Sequence, residues 1–242
     1  MGLPGSLLEI YRRMKSPRKP MADEVTTISA FLQGRPGESI KLPMLPGAGS
    51  GTAGIEFAAA SIMERIVLGA MVRQEHPGRI FEIGTFRGVT ALSMAVNCTW
   101  EAVLWTLDLP PEIGAEEVNQ RYYSSNPKSG FRQLADDGTK RDVGSALRGY
   151  AGPCQVEQLY GDVATFDFGP YCPVDLFFVD GCHEYEAARR DTLVAWKCLR
   201  PGGLLVWHDY TWKSVERAAR DSCAGTCITW IERTSLAFGR KP

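Results

Sequence analysis

The sequence predicts an α/β fold: a doubly wound, mostly parallel sheet of seven strands that ends in an antiparallel hairpin. Short apolar runs alternate with helical patterns along residues 79–223. These runs are apolar on both faces, which is typical of parallel strands covered by helices on both sides. In addition, 44% of the 242 residues are hydrophobic and 23% are charged, a composition typical of a globular domain with a large core.

Each element follows from a local pattern. The first helix is predicted where apolar residues recur at helical spacing, and the strands where β-prone apolar runs are bounded by turn residues. Pro110 and Pro111 end the second strand, and a turn at 201–203 precedes the fifth. Helices are predicted at 56–73, 89–97, 184–198 and 215–223, and strands at 79–84, 102–109, 156–160, 174–179, 203–208, 227–232 and 235–238.

Two regions fall outside this alternation. Residues 1–55 show no steady period and are predicted to be an N-terminal extension, so that the core domain spans 56–242. Within that domain, 112–152 is a polar insert that contains glycine and serine. A connection of this length in a compact domain is usually a lid or contains helices of its own. We expect the insert to set the specificity for a substrate.

Charge and cysteine content narrow the classes of partner. Lys and Arg number 27 and Asp and Glu 28, for a net charge of −1, so no strong positive field favours nucleic acid or an anionic membrane. No uncharged apolar run is long enough to span a bilayer, and the N-terminus lacks the apolar stretch of a secretory signal. We therefore expect a cytoplasmic protein whose seven cysteines are reduced. The sequence leaves open whether the protein forms a homodimer.

The ends of the first two strands carry the clearest functional signal. In an open parallel sheet, ligands bind at the carboxyl ends of the strands. The first strand is followed by a loop in which Gly84 and Gly88 allow a tight turn and close approach to a ligand. The second strand ends in Asp108, whose carboxylate can accept two hydrogen bonds from a ribose diol. Together these features predict a nucleoside-bearing cofactor; alternatively, the glycines only pack and Asp108 only caps.

The identity of the nucleoside depends on two side chains in this loop. The dinucleotide fingerprint has a middle glycine that gives access to a pyrophosphate, and here Phe86 occupies that position. Glu82, just before the turn, would repel phosphates and favour an ammonium or sulfonium group. Both residues favour S-adenosylmethionine over NAD, and an NAD-linked oxidoreductase is the less favoured alternative.

The run EIGTFRGVT at 82–90 resembles the first motif of class I S-adenosylmethionine-dependent methyltransferases. It is closest to the form in the catechol and caffeoyl-CoA O-methyltransferase families, where a bulkier residue also replaces the middle glycine. Three later runs are similar to a broad bacterial group of such enzymes: FFVDGCHEY at 177–185, LRPGG at 199–203 and WHDY at 207–210. The resemblance implies a Rossmann-like fold and methyl transfer to a small hydroxylated molecule. It leaves open a binding or regulatory protein that keeps the fold without turnover.

The resemblance also implies roles at the strand ends. Thr90 would bond the carboxylate of the methionine moiety, and Asp108 the ribose hydroxyls. Asp162, after the third strand, would meet the adenine amino group, and Asp180, after the fourth, would approach the sulfonium. The residues that we expect to bind the cofactor are Glu82, Gly84, Thr85, Phe86, Gly88, Thr90, Asp108, Asp162 and Asp180. By analogy with related enzymes, the loop at 43–54 would be a gate over the cofactor.

His183 and Asp180 are the predicted catalytic residues. His183 lies three residues after Asp180, an offset at which the catechol-type family has a lysine base. An imidazole, with an ordinary pKa of about 6.5, suits a general base near neutral pH. The alternative is that His183 caps or packs against the next helix.

A divalent metal ion is the other open question at this edge. In the catechol-type family, three oxygen ligands come from positions that read Asp180, His208 and Asp209 here. Imidazole is a softer ligand than Mg²⁺ prefers, so Mn²⁺ is at least as suitable as Mg²⁺. The alternative is a metal-free site in which His208 and Asp209 orient the substrate or the surrounding structure.

Overall fold

The computed structural model describes residues 20–27, 40–43, 60–98, 100–113, 117 and 142–242. Its strands are β1 (Glu24–Thr27), β2 (Arg79–Ile83), β3 (Ala102–Asp108), β4 (Cys154–Tyr160), β5 (Val174–Val179), β6 (Leu199–Trp207), β7 (Ile228–Glu232) and β8 (Ala237–Arg240). Its helices are α1 (Ile62–Glu75), α2 (Val89–Ala95), α3 (Tyr185–Cys198) and α4 (Lys213–Ser222), with short 3-10 turns at Ser145–Leu147 and Gly169–Tyr171.

The strands form one sheet in the order β1-β7-β8-β6-β5-β2-β3-β4. From β6 to β4 all neighbours are parallel, whereas β8 is antiparallel to both β6 and β7. The predicted Rossmann-like α/β fold, with a mostly parallel sheet and a C-terminal antiparallel hairpin, is therefore confirmed. All seven predicted strands are present, and β1 adds an eighth at the sheet edge.

Strand β1 comes from the segment that the sequence analysis placed in the N-terminal extension. It runs parallel to β7, with Glu24 opposite Thr229, and the carboxylate of Asp23 accepts a 2.8 Å hydrogen bond from the Ile228 amide. These partners lie about two hundred residues away along the chain, so no local pattern could reveal the strand. Most of the extension, the gate-loop residues 44–54 and most of the insert lie outside the described residues, and the domain boundaries stay a prediction.

The core lies on both faces of the sheet, as the apolar strand patterns predict. Phe81 and Phe177 contribute to one buried cluster, whereas their neighbours Ile80 and Phe178 belong to the cluster on the opposite face. Successive side chains of a strand point to opposite faces, so two central strands supply both layers. Burying each of these side chains contributes about 1.5–3 kcal/mol to stability.

The segment 201–203 differs from its prediction as a turn before the fifth strand. In the structure it lies within β6, where the register with β5 shifts between Val174 and Leu176. Gly202 has a φ of +74° and donates its amide to the carbonyl of Lys241. An irregularity in the strand therefore absorbs the proline and the glycines, because pairing with β5 continues on either side, at Leu199 and from Leu204 onward.

The expectation that all the cysteines are reduced is wrong for one pair. Cys172 and Cys198 form a disulfide with a Cα–Cα distance of 4.9 Å, and the other five cysteines are not disulfide-bonded.

Among the described residues, no helix is both long and apolar enough to cross a membrane.

Candidate functional site

The site lies where the order of the sheet switches direction, at the carboxyl ends of β2 and β5. Gly84, after β2, has a φ of +94°, and a Cβ there would lie 2.0 Å from the backbone oxygen of Asp180. The Asp180 amide in turn donates to the carbonyl of Ile83 at 2.9 Å. Glycine is thus required at position 84 because two backbone segments meet there. Packing within the protein therefore explains this glycine, in addition to the predicted close approach of a ligand.

Phe86 stands in the sequence where the dinucleotide fingerprint has its middle glycine, and its backbone also adopts a conformation that favours glycine. Its φ is +47° and its side chain is 38% exposed. The left-handed region costs a non-glycine residue about 1–2 kcal/mol. The Phe86 peptide is held on both sides: its N–H donates to Asp108 Oδ2 at 2.7 Å, and its carbonyl accepts from the Gly144 amide at 2.8 Å. These contacts offset the strain of the loop.

Asp108 is half-buried at the end of β3, and its two carboxylate oxygens accept from different amides. Oδ2 accepts from Phe86 and Oδ1 from Leu109, each at 2.7 Å. The two amides therefore fix the orientation of the Asp108 carboxylate, and a carboxylate oxygen can accept more than one hydrogen bond. Asp162, beyond β4, accepts from the Ala164 amide at 2.9 Å and begins a tight turn.

Glu82 is fully buried among hydroxyl groups. One oxygen accepts from the Thr90 hydroxyl at 2.5 Å, and the other accepts from Thr106. Thr85 contacts Thr106 at 2.7 Å and accepts from the Gln158 amide at 3.1 Å. Because Thr106 already donates to Glu82, the chain of hydrogen bonds runs from Gln158 to Glu82. We call this set the hydroxyl network.

Three residues that were predicted to bind the cofactor, Glu82, Thr85 and Thr90, belong to the hydroxyl network. Thr85 and Thr90 are buried with Glu82 and bond within the network. Burial raises the pKa of Glu82 to about 8, even though hydrogen bonds from Thr106 and Thr90 favour its ionised form. The carboxyl is thus mostly neutral at pH 7, in contrast to the charged side chain expected from the sequence. Thr106 and Gln158 were missed, although polar residues inside apolar strands were an available signal.

At the ends of β5 and β6, buried acids and imidazoles form a second group. We call it the acid–imidazole cluster, and its members are Glu64, Asp180, His183, His208 and Asp209. His183 Nε2 lies 3.0 Å from Asp209 Oδ2. His208 Nδ1 lies 2.9 Å from Asp180 Oδ1 and 3.2 Å from Asp209 Oδ2. The structure therefore brings together all four ionisable residues that the sequence predicted at this edge.

Glu64 completes the cluster and was not predicted. It lies in the first turn of α1, and its Oε2 is 3.5 Å from His208 Nε2. The same oxygen accepts from the Ser61 amide, while Oε1 accepts from both the amide and the hydroxyl of Ser235. The motif S-x-x-E at 61–64 is typical of a capping box, which the structure contains, but only the tertiary structure places its glutamate against an imidazole.

The charges in the cluster stabilise one another. Burial alone would lower the pKa of His208, but Asp180, Asp209 and Glu64 outweigh burial and raise it well above its ordinary value. Burial would raise the pKa of Asp209, but the fields of His208 and His183 hold it well below its usual range. The centre of the cluster is therefore a protonated His208 beside an ionised Asp209.

The structure groups the candidate metal ligands differently from the sequence prediction. Asp180, His183 and Asp209 each offer a ligand atom within 4.8 Å of the other two. These donors fit a divalent ion of the transition series. His208 lies outside this set, and its Nδ1 lies against the carboxylates of Asp180 and Asp209. The predicted set of Asp180, His208 and Asp209 stays a prediction.

A family model described as a methyltransferase domain matches residues 81–210, more than half of the chain. The match begins within β2 and ends just beyond Asp209. It therefore includes the hydroxyl network, Asp108 and every member of the acid–imidazole cluster except Glu64. No curated protein matches the chain significantly.

Several solved structures are similar to this chain. The O-methyltransferase TomG from Streptomyces achromogenes, in complex with SAM, is 19% identical, with a TM-score of 0.49 over 79% of this chain and 87% of that chain. An O-methyltransferase from Bacillus cereus in complex with SAH is 12% identical, with a TM-score of 0.48 over 100% and 93%. The SAH-bound methyltransferase PaMTH1 from Podospora anserina is 11% identical, with a TM-score of 0.49 over 100% and 90%.

Proposed function

The chain belongs to the methyltransferase-domain family, and from this premise we propose that it is an S-adenosylmethionine-dependent O-methyltransferase acting on a small hydroxylated molecule. The observation that carries the proposal is the pairing of His183 with Asp209 at 3.0 Å, at the same edge of the sheet as Asp108, the carboxylate at the end of β3 that two amides orient. The first feature suits proton removal, and the second suits a ribose diol.

The loop after β2 and the ends of β3 and β4 fit the nucleoside of this cofactor. Asp108 is half-buried and oriented, and the Phe86 and Tyr160 rings are exposed on either side of the β3 end. Asp108 would accept from the ribose hydroxyls, and Asp162 would accept from the adenine amino group. When bound, S-adenosylmethionine supplies an activated methyl group on a sulfonium ion. Asp180, at the end of β5, would face that end of the cofactor.

His183 would act as the general base. Its Nε2 faces the ionised Asp209, and its ring lies against Trp212 with centroids 4.9 Å apart. Asp209 thus favours the tautomer with the proton on Nε2, and Nδ1 would take the proton of the acceptor hydroxyl. The carboxylate then stabilises the imidazolium that forms, as in other acid–histidine pairs. The protein's remaining task is to hold the acceptor oxygen in line with the methyl group.

A second candidate mechanism rests on the spacing of Asp180, His183 and Asp209. If these residues hold Mn²⁺ or another divalent ion, His183 is a ligand and cannot be the base. Exhaustive chelation would then abolish turnover, and the divalent ion would restore it. Full activity in chelator would support His183 as the base and exclude the ligand role.

Two experiments test the proposal as a whole. Thermal shift with S-adenosylmethionine, S-adenosylhomocysteine and NAD identifies the cofactor, because a ligand that binds the native state raises the unfolding temperature. A methyl-transfer screen over phenols, sugars and small natural products then identifies the acceptor. Stabilisation by NAD alone would contradict the proposal and favour an oxidoreductase. Stabilisation by S-adenosylmethionine without transfer to any acceptor would favour a binding or regulatory protein.

A further inference from the structure

We propose that the turn at 144–147, at the end of the insert, holds the cofactor loop at 84–88 in its binding conformation, with Leu147 and Gly144 as positioning residues for the cofactor. This inference rests on the proposed function, because it assumes that the loop binds S-adenosylmethionine and its product S-adenosylhomocysteine. It assigns to the described part of the insert a role in cofactor affinity, in addition to its expected role in substrate specificity.

The first observation is a pair of backbone hydrogen bonds between the turn and the loop. The Gly144 amide donates to the carbonyl of Phe86, and the Ala146 amide donates to the carbonyl of Arg87, each at 2.8 Å. Phe86 has a positive φ that non-glycine residues rarely adopt. Its amide is held by Asp108, so the Gly144 bond closes the other side of the same residue. A residue in an unfavourable conformation persists only where the surroundings determine it on several sides.

The second observation is side-chain packing against the same loop. A Cβ at Gly88 would lie 2.8 Å from Leu147 Cγ and 3.2 Å from the Cα of Gly144. The backbone of Gly88 is thus covered closely by the turn. In addition, a Cβ at Gly144 would lie 2.7 Å from Gln158 Oε1, and the other end of that side chain donates to Thr85. Through these contacts the turn reaches the loop from Thr85 to Gly88.

The third observation separates the loop contacts from the rest of the turn's packing. Tyr150 follows the turn, and its hydroxyl donates to the carbonyl of Ala95 at the end of α2. Tyr150 also packs with Val89 and Leu92 in a small apolar cluster. It therefore stabilises the same segment through its contacts with α2. Tyr150→Phe is for this reason a matched control for changes at Leu147.

The consequence is a dependence of cofactor affinity on the turn. Removing the Leu147 side chain would let the loop populate other conformations, and the apparent affinity falls in proportion to the fraction that stays competent. If about one molecule in ten keeps the observed loop, the affinity for S-adenosylhomocysteine weakens about tenfold.

The test is calorimetric titration of S-adenosylhomocysteine into the full chain. Leu147→Ala should weaken binding about tenfold, Leu147→Met should restore most of it, and Tyr150→Phe should leave it unchanged, with unfolding temperatures measured for each. If Leu147→Ala does not fold, Ala146→Pro removes the hydrogen bond to Arg87 instead and should also weaken binding. Wild-type affinity in a folded Leu147→Ala or Ala146→Pro protein would overturn the inference, as would equal weakening in Tyr150→Phe.

Amide hydrogen exchange distinguishes this failure from failure of the proposed function. In wild-type protein, bound S-adenosylhomocysteine should slow exchange at the Gly144 and Ala146 amides, because it stabilises the loop that accepts their hydrogen bonds. Binding without slower exchange at either amide overturns the inference alone. If the wild-type chain does not bind S-adenosylhomocysteine at all, the proposed function fails, and the inference fails with it.

Discussion

Glu82 and Asp209 lie in the two halves of one sheet edge and are both buried, yet the structure holds them in opposite charge states. Glu82, at the end of β2, accepts hydrogen bonds from two hydroxyl groups, and burial raises its pKa to about 8. Asp209, just after β6, is also opposed by burial, but His208 and His183 hold its pKa well below the ordinary value. Burial alone neutralises an acid, whereas a nearby cation keeps an equally buried acid ionised.

This difference divides the site into two kinds of surface. The half around β2, β3 and β4, which we call the neutral half after the protonated Glu82, is built mainly from backbone amides and hydroxyls, and amides orient its carboxylates at Asp108 and Asp162. The half around β5 and β6 holds several buried charges that compensate one another. A neutral surface with directed acceptors suits the binding of a polar nucleoside, and a preorganised charged surface suits proton transfer. The comparison predicts that mutations in the two halves affect different quantities.

The largest expected effect is on rate, in the charged half. With the acceptor found in the screen, His183→Gln should lower kcat by ~10²–10⁴, the usual value of a positioned base, and leave the affinity for S-adenosylhomocysteine unchanged. His76→Gln is the control, since His76 lies against Trp100 and has no contact with the cluster. Near-normal turnover in His183→Gln would make His183 a structural residue.

The next effect is on affinity, in the neutral half. Asp108→Ala removes the acceptor proposed for the ribose and frees the Phe86 amide, so it should cost ~2–4 kcal/mol of S-adenosylhomocysteine affinity. Asp175→Ala is a matched control: Asp175 also accepts from two amides, at Gly78 and Arg79, but at the opposite end of the strands. Calorimetry should show weaker binding only for Asp108→Ala. Equal affinities for the two variants would remove Asp108 from the cofactor site.

A smaller effect is expected on stability when the charged half loses Glu64. In Glu64→Gln the amide NH₂ must replace one accepting oxygen, which leaves either the Ser61 or the Ser235 amide unsatisfied. The cost should be ~1–3 kcal/mol in urea unfolding. Glu75→Gln, at the other end of α1, breaks only a half-exposed pair with Arg240 and should cost less than about 1 kcal/mol. Equal costs would show that Glu64 acts only as a helix cap.

The pH dependence of stability sharpens the comparison further. Between the ordinary value of 4.5 and about 8, folded Glu82 keeps a proton that the unfolded chain has lost. Stability should therefore fall as pH rises through that range, by up to about 1.4 kcal/mol per pH unit. Glu82→Gln carries no such proton, so its stability should fall less steeply over the same range. Parallel pH profiles of the two proteins in urea unfolding would show that Glu82 is ionised in the folded state.

His208 should contribute to pH dependence with the same sign. Its pKa is raised in the folded state by Asp180, Asp209 and Glu64, so its stabilisation is fully present below the ordinary value of about 6.5 and is lost as pH rises through the folded value. The comparison of Glu82→Gln with wild type cancels this contribution, because both proteins contain His208. The difference between the two profiles therefore reports on Glu82 alone.

Much of the fold could be predicted because its signals are local. Apolar runs on both faces identified the central strands, and glycines and acids located their carboxyl ends. The strand β1 and the irregularity at 201–203 were not predicted, because both depend on pairing with distant segments. In the site, Asp108, Asp180, His183 and Asp209 were identifiable as polar residues at strand ends. Glu64 was not, because its local pattern is fully explained by a helix cap.

The sequence by itself determined the order of strands and helices and which polar residues lie at the carboxyl edge, since periodicity and turn residues encode both. The tertiary structure decided which of these residues meet and which are charged. A pKa depends on desolvation and on neighbouring charges. The charged neighbours of His208 are Glu64 in α1, Asp180 at the end of β5 and Asp209, the next residue in the chain. For this reason Glu82 and Asp209, two acids at strand ends, could be located from the sequence, but only the folded arrangement assigns a proton to one and a charge to the other.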